Sequence, residues 1–248
     1  MPMMPHTCPT FHPPIMKVLI LTLVATMLTL CGASHVPHPI LPPSYSADIT
    51  MTLDQTSPTS THTWNVTYTI SYPQGSSLAL HGEGNRCETC VIPGHVGERC
   101  AVIVRPDFRY TYFPDSGECC RCCTSGPPQY CGVVKPDWAS NGTYAGSQEI
   151  DTGLDHPLKC GEYLVQGQYV NHMFFTSELT PPDSGYVAPC EFYERGHDDS
   201  FLKQLVYNSD SFTIGPVDPS TFDLPPNVDC SAQCQGPCQG AKSPFLLP

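Results

Sequence analysis

Polar and apolar residues alternate strictly over one stretch of the chain, at 64–71. Apolar side chains occupy Trp64, Val66, Tyr68 and Ile70, and polar side chains occupy Asn65, Thr67, Thr69 and Ser71. Successive side chains of a β-strand point to opposite faces of the sheet. The pattern therefore predicts a strand with one buried face and one solvated face.

Similar short runs recur along the chain between Gly, Pro, Asp and Ser residues, and they predict further antiparallel strands. They lie at 101–104, 109–113, 163–165, 169–175, 186–193 and 201–207. No stretch carries a sustained helical apolar stripe, and the best candidate, 199–207, is equally consistent with a strand. The 28 prolines and the 14% charged residues exclude a long-helix protein, because proline inside a helix costs about 3 kcal/mol. We predict a β-dominated, all-β fold.

The N-terminal region predicts a secretory signal peptide. An apolar run at 18–30 follows Lys17 and precedes small residues. This run is too short for a stable membrane span, which needs about 20 apolar residues, so we expect cleavage near Ala33 or Ser34 and secretion. Met16 is an alternative start. The expected organisation is a signal peptide at 1–34, a proline-rich leader at 35–48, a β domain at 49–230 and a Cys- and Pro-rich tail at 231–248.

The cysteine content predicts a disulfide framework. Removing Cys8 and Cys31 with the leader leaves thirteen of the 15 cysteines, and a secreted chain meets the oxidising conditions in which disulfides form. Two alternatives to structural disulfides are a redox pair at Cys87 and Cys90 and a zinc site formed by thiolates at 119–123. We expect structural disulfides. Those of adjacent cysteines, such as Cys119 and Cys120, should extend in opposite directions. The odd number leaves a thiol that could link a homodimer. The disulfide candidates are Cys87, Cys90, Cys100, Cys119, Cys120, Cys122, Cys123, Cys131, Cys160, Cys190, Cys230, Cys234 and Cys238.

Charge and motifs narrow the function classes. The net charge of -12 and the absence of a Lys/Arg run argue against a nucleic-acid partner. The chain has no catalytic signature of the Gly-x-Ser-x-Gly, phosphate-loop or His-Glu-x-x-His type, so we do not expect an enzyme. We expect no cofactor, with Asp198, Asp199 and Asp210 as weak calcium candidates. Asn65 and Asn141 begin sequons and are candidate N-glycosylation sites.

The closing part of the chain resembles that of the ependymin-related proteins. In both, Asp-Pro-Ser, a phenylalanine, a proline pair and a cysteine follow in this order, here at 218–230. Segments 144–147, 163–175 and 189–193 are similar to the middle segments of that family. The likeness spans roughly 110–230.

The resemblance implies a secreted glycoprotein in which two curved antiparallel sheets form an open half-barrel, similar to the LolA-type bacterial lipoprotein carriers. A hydrophobic pocket is implied on the concave face, with Tyr112, Tyr169 and Phe174 as candidate lining residues. The family is also associated with calcium, cell–matrix adhesion and dimers.

Three functions stay open on the sequence alone. The first is binding of a hydrophobic, lipid-like ligand, with calcium as an optional second ligand. The second is a disulfide-rich extracellular adhesion or structural module whose concave face is filled by side chains. The third is an enzyme acting on a glycan or a lipid. We expect the first, in an extracellular or lysosomal location.

Overall fold

The predicted all-β fold class is confirmed by a computed structural model, which describes residues 38–55, 60–82, 95, 97–126, 131–166, 170–196 and 201–235. These residues form twelve β-strands and two short 3-10 helices, at Ser209–Ser211 and Pro219–Phe222. The strands are β1 (Ser44–Gln55), β2 (Ser60–Ser71), β3 (Ser76–His81), β4 (Cys100–Val104), β5 (Phe108–Phe113), β6 (Glu118–Thr124), β7 (Thr143–Ile150), β8 (Leu158–Gln166), β9 (Val170–Thr176), β10 (Ala188–Arg195), β11 (Phe201–Tyr207) and β12 (Thr213–Ile214).

The described strands belong to one continuous open sheet, where the family resemblance implied two. Its order is β6-β5-β4-β3-β2-β1-β11-β10-β9-β8-β7, and β12 pairs with β1 beside this path. Neighbouring strands are antiparallel. The two edge strands, β6 and β7, follow each other in the chain. The residues between them therefore connect opposite edges of the sheet.

One face of the sheet carries the main hydrophobic core, and we call it the core face. It holds the predicted apolar side of β2, from Trp64 to Ile70, together with buried residues of β1 and of β8–β11. The connecting segment (131–142) runs between the two sheet edges and packs Val134, Trp138 and Ala139 against this core. The core face is thus filled by side chains of the chain itself.

The first strand begins earlier than the sequence boundary at residue 49 predicts. β1 starts at Ser44, and Tyr45 and Ala47 are buried in the main core. The reason is that the prolines of the leader end at Pro43, so every later residue can take part in the hydrogen-bond ladder. Residues 44–48 are therefore part of the β domain.

Disulfide bonds join distant parts of the sheet. The described bridges are Cys119–Cys230, Cys120–Cys234, Cys123–Cys131 and Cys160–Cys190, and Cys100 and Cys122 are disulfide-bonded as well. Candidates Cys87, Cys90 and Cys238 lie outside the described residues. The predicted preference for disulfides over zinc thus holds for the described cysteines.

The bridges of the adjacent cysteines of β6 both lead to one segment of the chain. Cys119 and Cys120 belong to different buried clusters, yet both are bonded to the same C-terminal segment (219–235). This segment runs along edge strand β6, where Arg121 forms a parallel bridge with Gln233. Because the segment lies alongside edge strand β6, cysteine side chains on both faces of this strand can reach it.

Candidate functional site

An apolar surface forms on the face of the sheet opposite to the main core. This face, which we call the cleft face, carries Asn65 and Thr67 of β2. Thr67 pairs with Leu80 of β3, Leu80 with Ala101 of β4, and Ala101 with Tyr112 of β5. Directly paired residues of antiparallel strands share a face. The register therefore assembles an apolar floor from Leu78 and Leu80 of β3, Ala101 and Ile103 of β4, and Tyr112 of β5.

Strand β4 shows why this second face is apolar. Its sequence is apolar at every position from Cys100 to Val104, and all of these residues are buried. A continuous apolar run is typical of a strand that is covered on both faces. On the cleft face, Ile103 is 3% exposed, whereas neighbouring Leu80 is 45% exposed. The cleft face of β3 is therefore only partly covered by the rest of the chain.

The C-terminal segment forms one wall of the resulting cleft. Asp218 caps the 3-10 helix Pro219–Phe222 by accepting a hydrogen bond from the Ser220 backbone N–H, with proline at the start of the helix and Phe222 buried. Thr221, Asp223 and Pro225 line the cleft, and the Cys119–Cys230 disulfide fixes the segment to β6. The wall is therefore held covalently at its far end.

The cleft has a volume of about 550 Å³, and its charged groups lie at the rim. Arg99 lines it and forms an ion pair with exposed Asp115, whose pKa that guanidinium lowers. Asp223 also lines the cleft, and its carboxylate lies 4.0 Å from the Arg105 guanidinium. An apolar floor with compensated rim charges suits a neutral apolar ligand.

The last residue of β3, His81, carries an uncharged side chain on the core face, because it pairs with Val66 and Cys100 of that face. His81 is 4% exposed, and the Trp64 indole N–H donates a hydrogen bond to its Nδ1 at 3.2 Å. Burial lowers the pKa of His81 from the usual 6.5 to about 4. His81 is therefore neutral at physiological pH and adds no charge to the cleft.

Of the three pocket candidates, one lies in this cleft. Tyr112 lines it. Phe174 is fully buried in a separate cluster with Cys160 and Cys190. Its strand, β9, and the strand of Tyr112, β5, lie on opposite sides of the central strands β1 and β2 in the sheet order. Tyr169 lies outside the described residues. The other floor residues were missed, although the unbroken apolar run of β4 was a signal that both of its faces are covered.

Both sequons are exposed, at different places. Asn65 and Thr67 lie on the solvated side of β2, as predicted, and both line the cleft. The Thr50 hydroxyl donates to Asn65 Oδ1 at 3.3 Å, and the Thr67 hydroxyl donates to Asp48 at 2.7 Å. Asn141 is exposed in the turn before β7. Glycosylation itself stays a prediction at both positions.

One of the three calcium candidates, Asp210, lies in the described part of the chain. Asp210 is exposed in the 3-10 helix Ser209–Ser211, where its backbone N–H donates to Asn208, and Asp198 and Asp199 lie outside the described residues. Within the described ranges, no group of three or more His, Cys, Asp or Glu side chains is placed to hold a metal ion. Calcium binding stays a prediction.

Two further histidines, which the sequence presents as isolated, have acidic partners. His172 Nδ1 lies 2.6 Å from Glu162, and its ring stacks on Tyr193 with centroids 4.2 Å apart. His95 Nδ1 lies 2.8 Å from Glu98, and this hydrogen bond raises the pKa of His95. His172 and Glu162 come from neighbouring strands, so only the pairing register brings them together.

Among the described residues, no helix is both long enough and apolar enough to cross a membrane.

Comparison with known proteins shows no matching family model and no matching curated protein. Among solved structures, the chain is similar to an uncharacterized conserved protein from Thermus thermophilus, with a TM-score of 0.47 and 8% identity over 84% of this chain and 99% of that chain. It is also similar to a LolA superfamily protein from Nitrosomonas europaea, with a TM-score of 0.39 and 11% identity over 76% and 94% of the two chains. A third similar structure is LprF from Mycobacterium bovis, with a TM-score of 0.37 and 12% identity over 82% and 97%.

Proposed function

We propose that this protein is a secreted, disulfide-stabilised binding protein that takes up a neutral, lipid-like molecule in the cleft. The observation that carries the proposal is an open apolar floor on the second face of the sheet, where Leu80 is 45% exposed. Water in contact with such a surface is released when an apolar ligand covers it, and this release favours binding. Tyr112, one of the residues that the family resemblance implied for a pocket, lines this cleft.

The electrostatics support a neutral or zwitterionic ligand. The floor is uncharged, the rim charges are compensated, and the whole chain carries a net charge of -12. An anionic ligand would meet a repulsive field. Binding driven by burial is also insensitive to ionic strength, because salt screens charges and not apolar contacts.

The secretory part of the proposal is supported by the cysteines. All ten described cysteines are disulfide-bonded. Disulfides persist mainly in oxidising compartments. Membership of the ependymin-related family stays a proposal as well, supported by the order of residues at 218–230.

The test is titration of the purified protein with N-phenyl-1-naphthylamine, a neutral apolar fluorophore, at low and at physiological salt. Full burial of a leucine side chain contributes about 1.5 to 3 kcal/mol. Because Leu80 is 45% exposed, a ligand gains roughly half of this, so Leu80→Ala should weaken binding about fivefold. Leu80→Asp should abolish it, since a carboxylate would have to lose its hydration.

Ile214 provides the matched control. It is 37% exposed and lies on β12, outside the cleft lining. Ile214→Asp should leave the affinity unchanged at both salt concentrations. Equal loss in the two aspartate variants, or no saturable binding by a folded wild-type protein, would rule out the cleft as the binding site.

A second candidate function is an extracellular adhesion or structural module, and the filled core face favours it. The ten described cysteines are all disulfide-bonded, and the odd thiol expected in the mature chain stays a prediction. A disulfide-linked dimer on a non-reducing gel, together with an absence of probe binding, would favour this function over ligand uptake.

A further inference from the structure

The first sequon lies at the cleft and not on a remote surface. Asn65 and Thr67 both line the cleft, and both are exposed. Thr67 is the direct cross-strand partner of Leu80, the exposed apolar side chain of the floor. A group attached to Asn65 therefore starts next to the part of the floor that the C-terminal segment leaves uncovered.

The Asn65 amide is oriented by a neighbour on the side away from the cleft. Its Oδ1 accepts a hydrogen bond from the Thr50 hydroxyl of β1 at 3.3 Å, whereas the cleft lies on the β3 side of β2. The amide nitrogen is the other branch of the same planar group. The nitrogen that would carry a glycan therefore belongs to a side chain that lines the cleft.

We propose that Asn65 carries an N-linked glycan whose first sugar covers Leu80 and reduces access to the cleft. The effect on ligand uptake rests on the function proposed above, but the covering of Leu80 does not. In the modification, a bond forms between Asn65 Nδ2 and C1 of an oligosaccharide. The C1–oxygen bond to a polyprenyl pyrophosphate donor breaks, and the amide releases one proton.

Tethering gives the sugar an advantage over a free ligand. A covalently linked group has an effective concentration in the millimolar range over short distances, so even a weak contact with Leu80 is populated. The carbon-bearing face of a sugar ring covers apolar surface in the same way as a side chain. Asn141 lies in the turn before β7 and does not line the cleft, so a glycan there would not be tethered beside Leu80.

The experiment compares full-length protein secreted from eukaryotic cells as wild type, Asn65→Gln and Asn141→Gln. Thr67→Val is a second way to remove the Asn65 sequon while it keeps the asparagine. Mass spectrometry of peptides reports whether Asn65 is glycosylated. Hydroxyl-radical footprinting then measures the oxidation rate of Leu80, and titration with N-phenyl-1-naphthylamine measures the affinity.

The expected result is a glycan at Asn65 in the wild type. Removal of that sequon in either variant should raise the Leu80 oxidation rate and strengthen probe binding about fivefold, the gain from uncovering one half-exposed leucine. Asn141→Gln should change neither value. An unmodified Asn65, or equal Leu80 oxidation with and without the Asn65 glycan, overturns the inference.

The two readouts separate this inference from the proposed function. Protection of Leu80 by the Asn65 glycan, together with no probe binding to any variant, supports the inference and refutes the binding function. Probe binding by all variants without a difference in Leu80 oxidation supports the binding function and refutes the inference.

Discussion

The buried histidine at the end of β3 makes the stability of the fold depend on pH in a predictable way. His81 has a pKa of about 4 in the folded protein, because it is buried, and 6.5 is its ordinary value. The unfolded chain therefore binds more protons than the folded protein between these two values. The free energy of unfolding contributed by His81 is fully present above pH 6.5 and falls as the pH falls toward 4.

The size of this effect follows from the gap between the two pKa values. The full loss, reached below the folded pKa, is about 3 kcal/mol. At about pH 5 the loss is already about 2 kcal/mol relative to about pH 8. A domain is stable by only about 5 to 15 kcal/mol in total, so urea titration detects a change of this size.

Other buried groups act in the opposite direction and have to be subtracted. Burial raises the pKa of Glu191 and of Glu194, so the folded protein binds their protons more readily than the unfolded chain. These two residues therefore stabilise the fold on acidification. The difference between wild type and His81→Gln cancels them, and glutamine stays neutral while it can still accept the Trp64 indole hydrogen bond.

The assay is urea unfolding, followed by tryptophan fluorescence, of wild type, His81→Gln and the exposed-site control His156→Gln. The stability advantage of wild type over His81→Gln should shrink by about 2 kcal/mol between about pH 8 and about pH 5. The same comparison for His156→Gln measures what replacing an exposed imidazole does in this assay. A constant difference for His81→Gln would refute the reasoning, since it would mean that this imidazole titrates equally in both states.

The remaining predictions concern crosslinks and close packing. Removing the Cys160–Cys190 bridge with two alanines should lower the free energy of unfolding by about 3.5 kcal/mol, and removing Cys123–Cys131 by about 2.5 kcal/mol, because the sequence separations are 30 and 8. Urea titration of both variants checks this order, and a larger loss for the shorter loop would contradict the chain-entropy explanation. Gly142→Ala should lower the free energy of unfolding by about 1 to 3 kcal/mol in the same assay, since the alanine Cβ would lie 3.0 Å from the Ala139 backbone oxygen. An unchanged midpoint would show that the connecting segment shifts to accommodate the methyl group.

The sequence predicts the strands well where one face alone is buried. In β2 the period-two pattern gives both the strand and its buried side, from Trp64 to Ile70. The same signal exists in β1, where Tyr45, Ala47, Ile49 and Met51 alternate with polar residues. The prolines before it place the first part of this stretch, Tyr45 and Ala47, in the predicted leader. Alternation is a local property, so the sequence contains it completely.

The cleft could not be predicted, because its parts meet only through pairing. Leu80, Ala101 and Tyr112 come from three strands and share a face only in the observed register. A shift by one residue would move each side chain to the other face. The wall residue Thr221 is more than a hundred residues away in the chain, and the disulfide that holds this wall is one of many combinations that the cysteines allow.

The position of the C-terminal segment links the protection of the sheet to the existence of the cleft. An exposed edge strand offers unpaired backbone groups to other chains, and proteins commonly cover such edges. Here the segment pairs its backbone with Arg121 of β6, which donates to Ala232 and accepts from Cys234 at 2.9 Å each. The Cys119–Cys230 and Cys120–Cys234 bridges make this cover permanent.

An earlier part of the same segment lies on the cleft face, where Leu224 and Val228 pack against the cluster that contains Ile103, while Leu80 stays 45% exposed. A longer cover would bury the whole floor and leave no binding surface, whereas a shorter one would expose β4 on its second face. The exposed part of the floor is therefore set by where the covalent anchor at Cys230 allows the 3-10 helix Pro219–Phe222 to lie. Changes in this segment should alter ligand access without altering the core face, because the main core contains none of its residues.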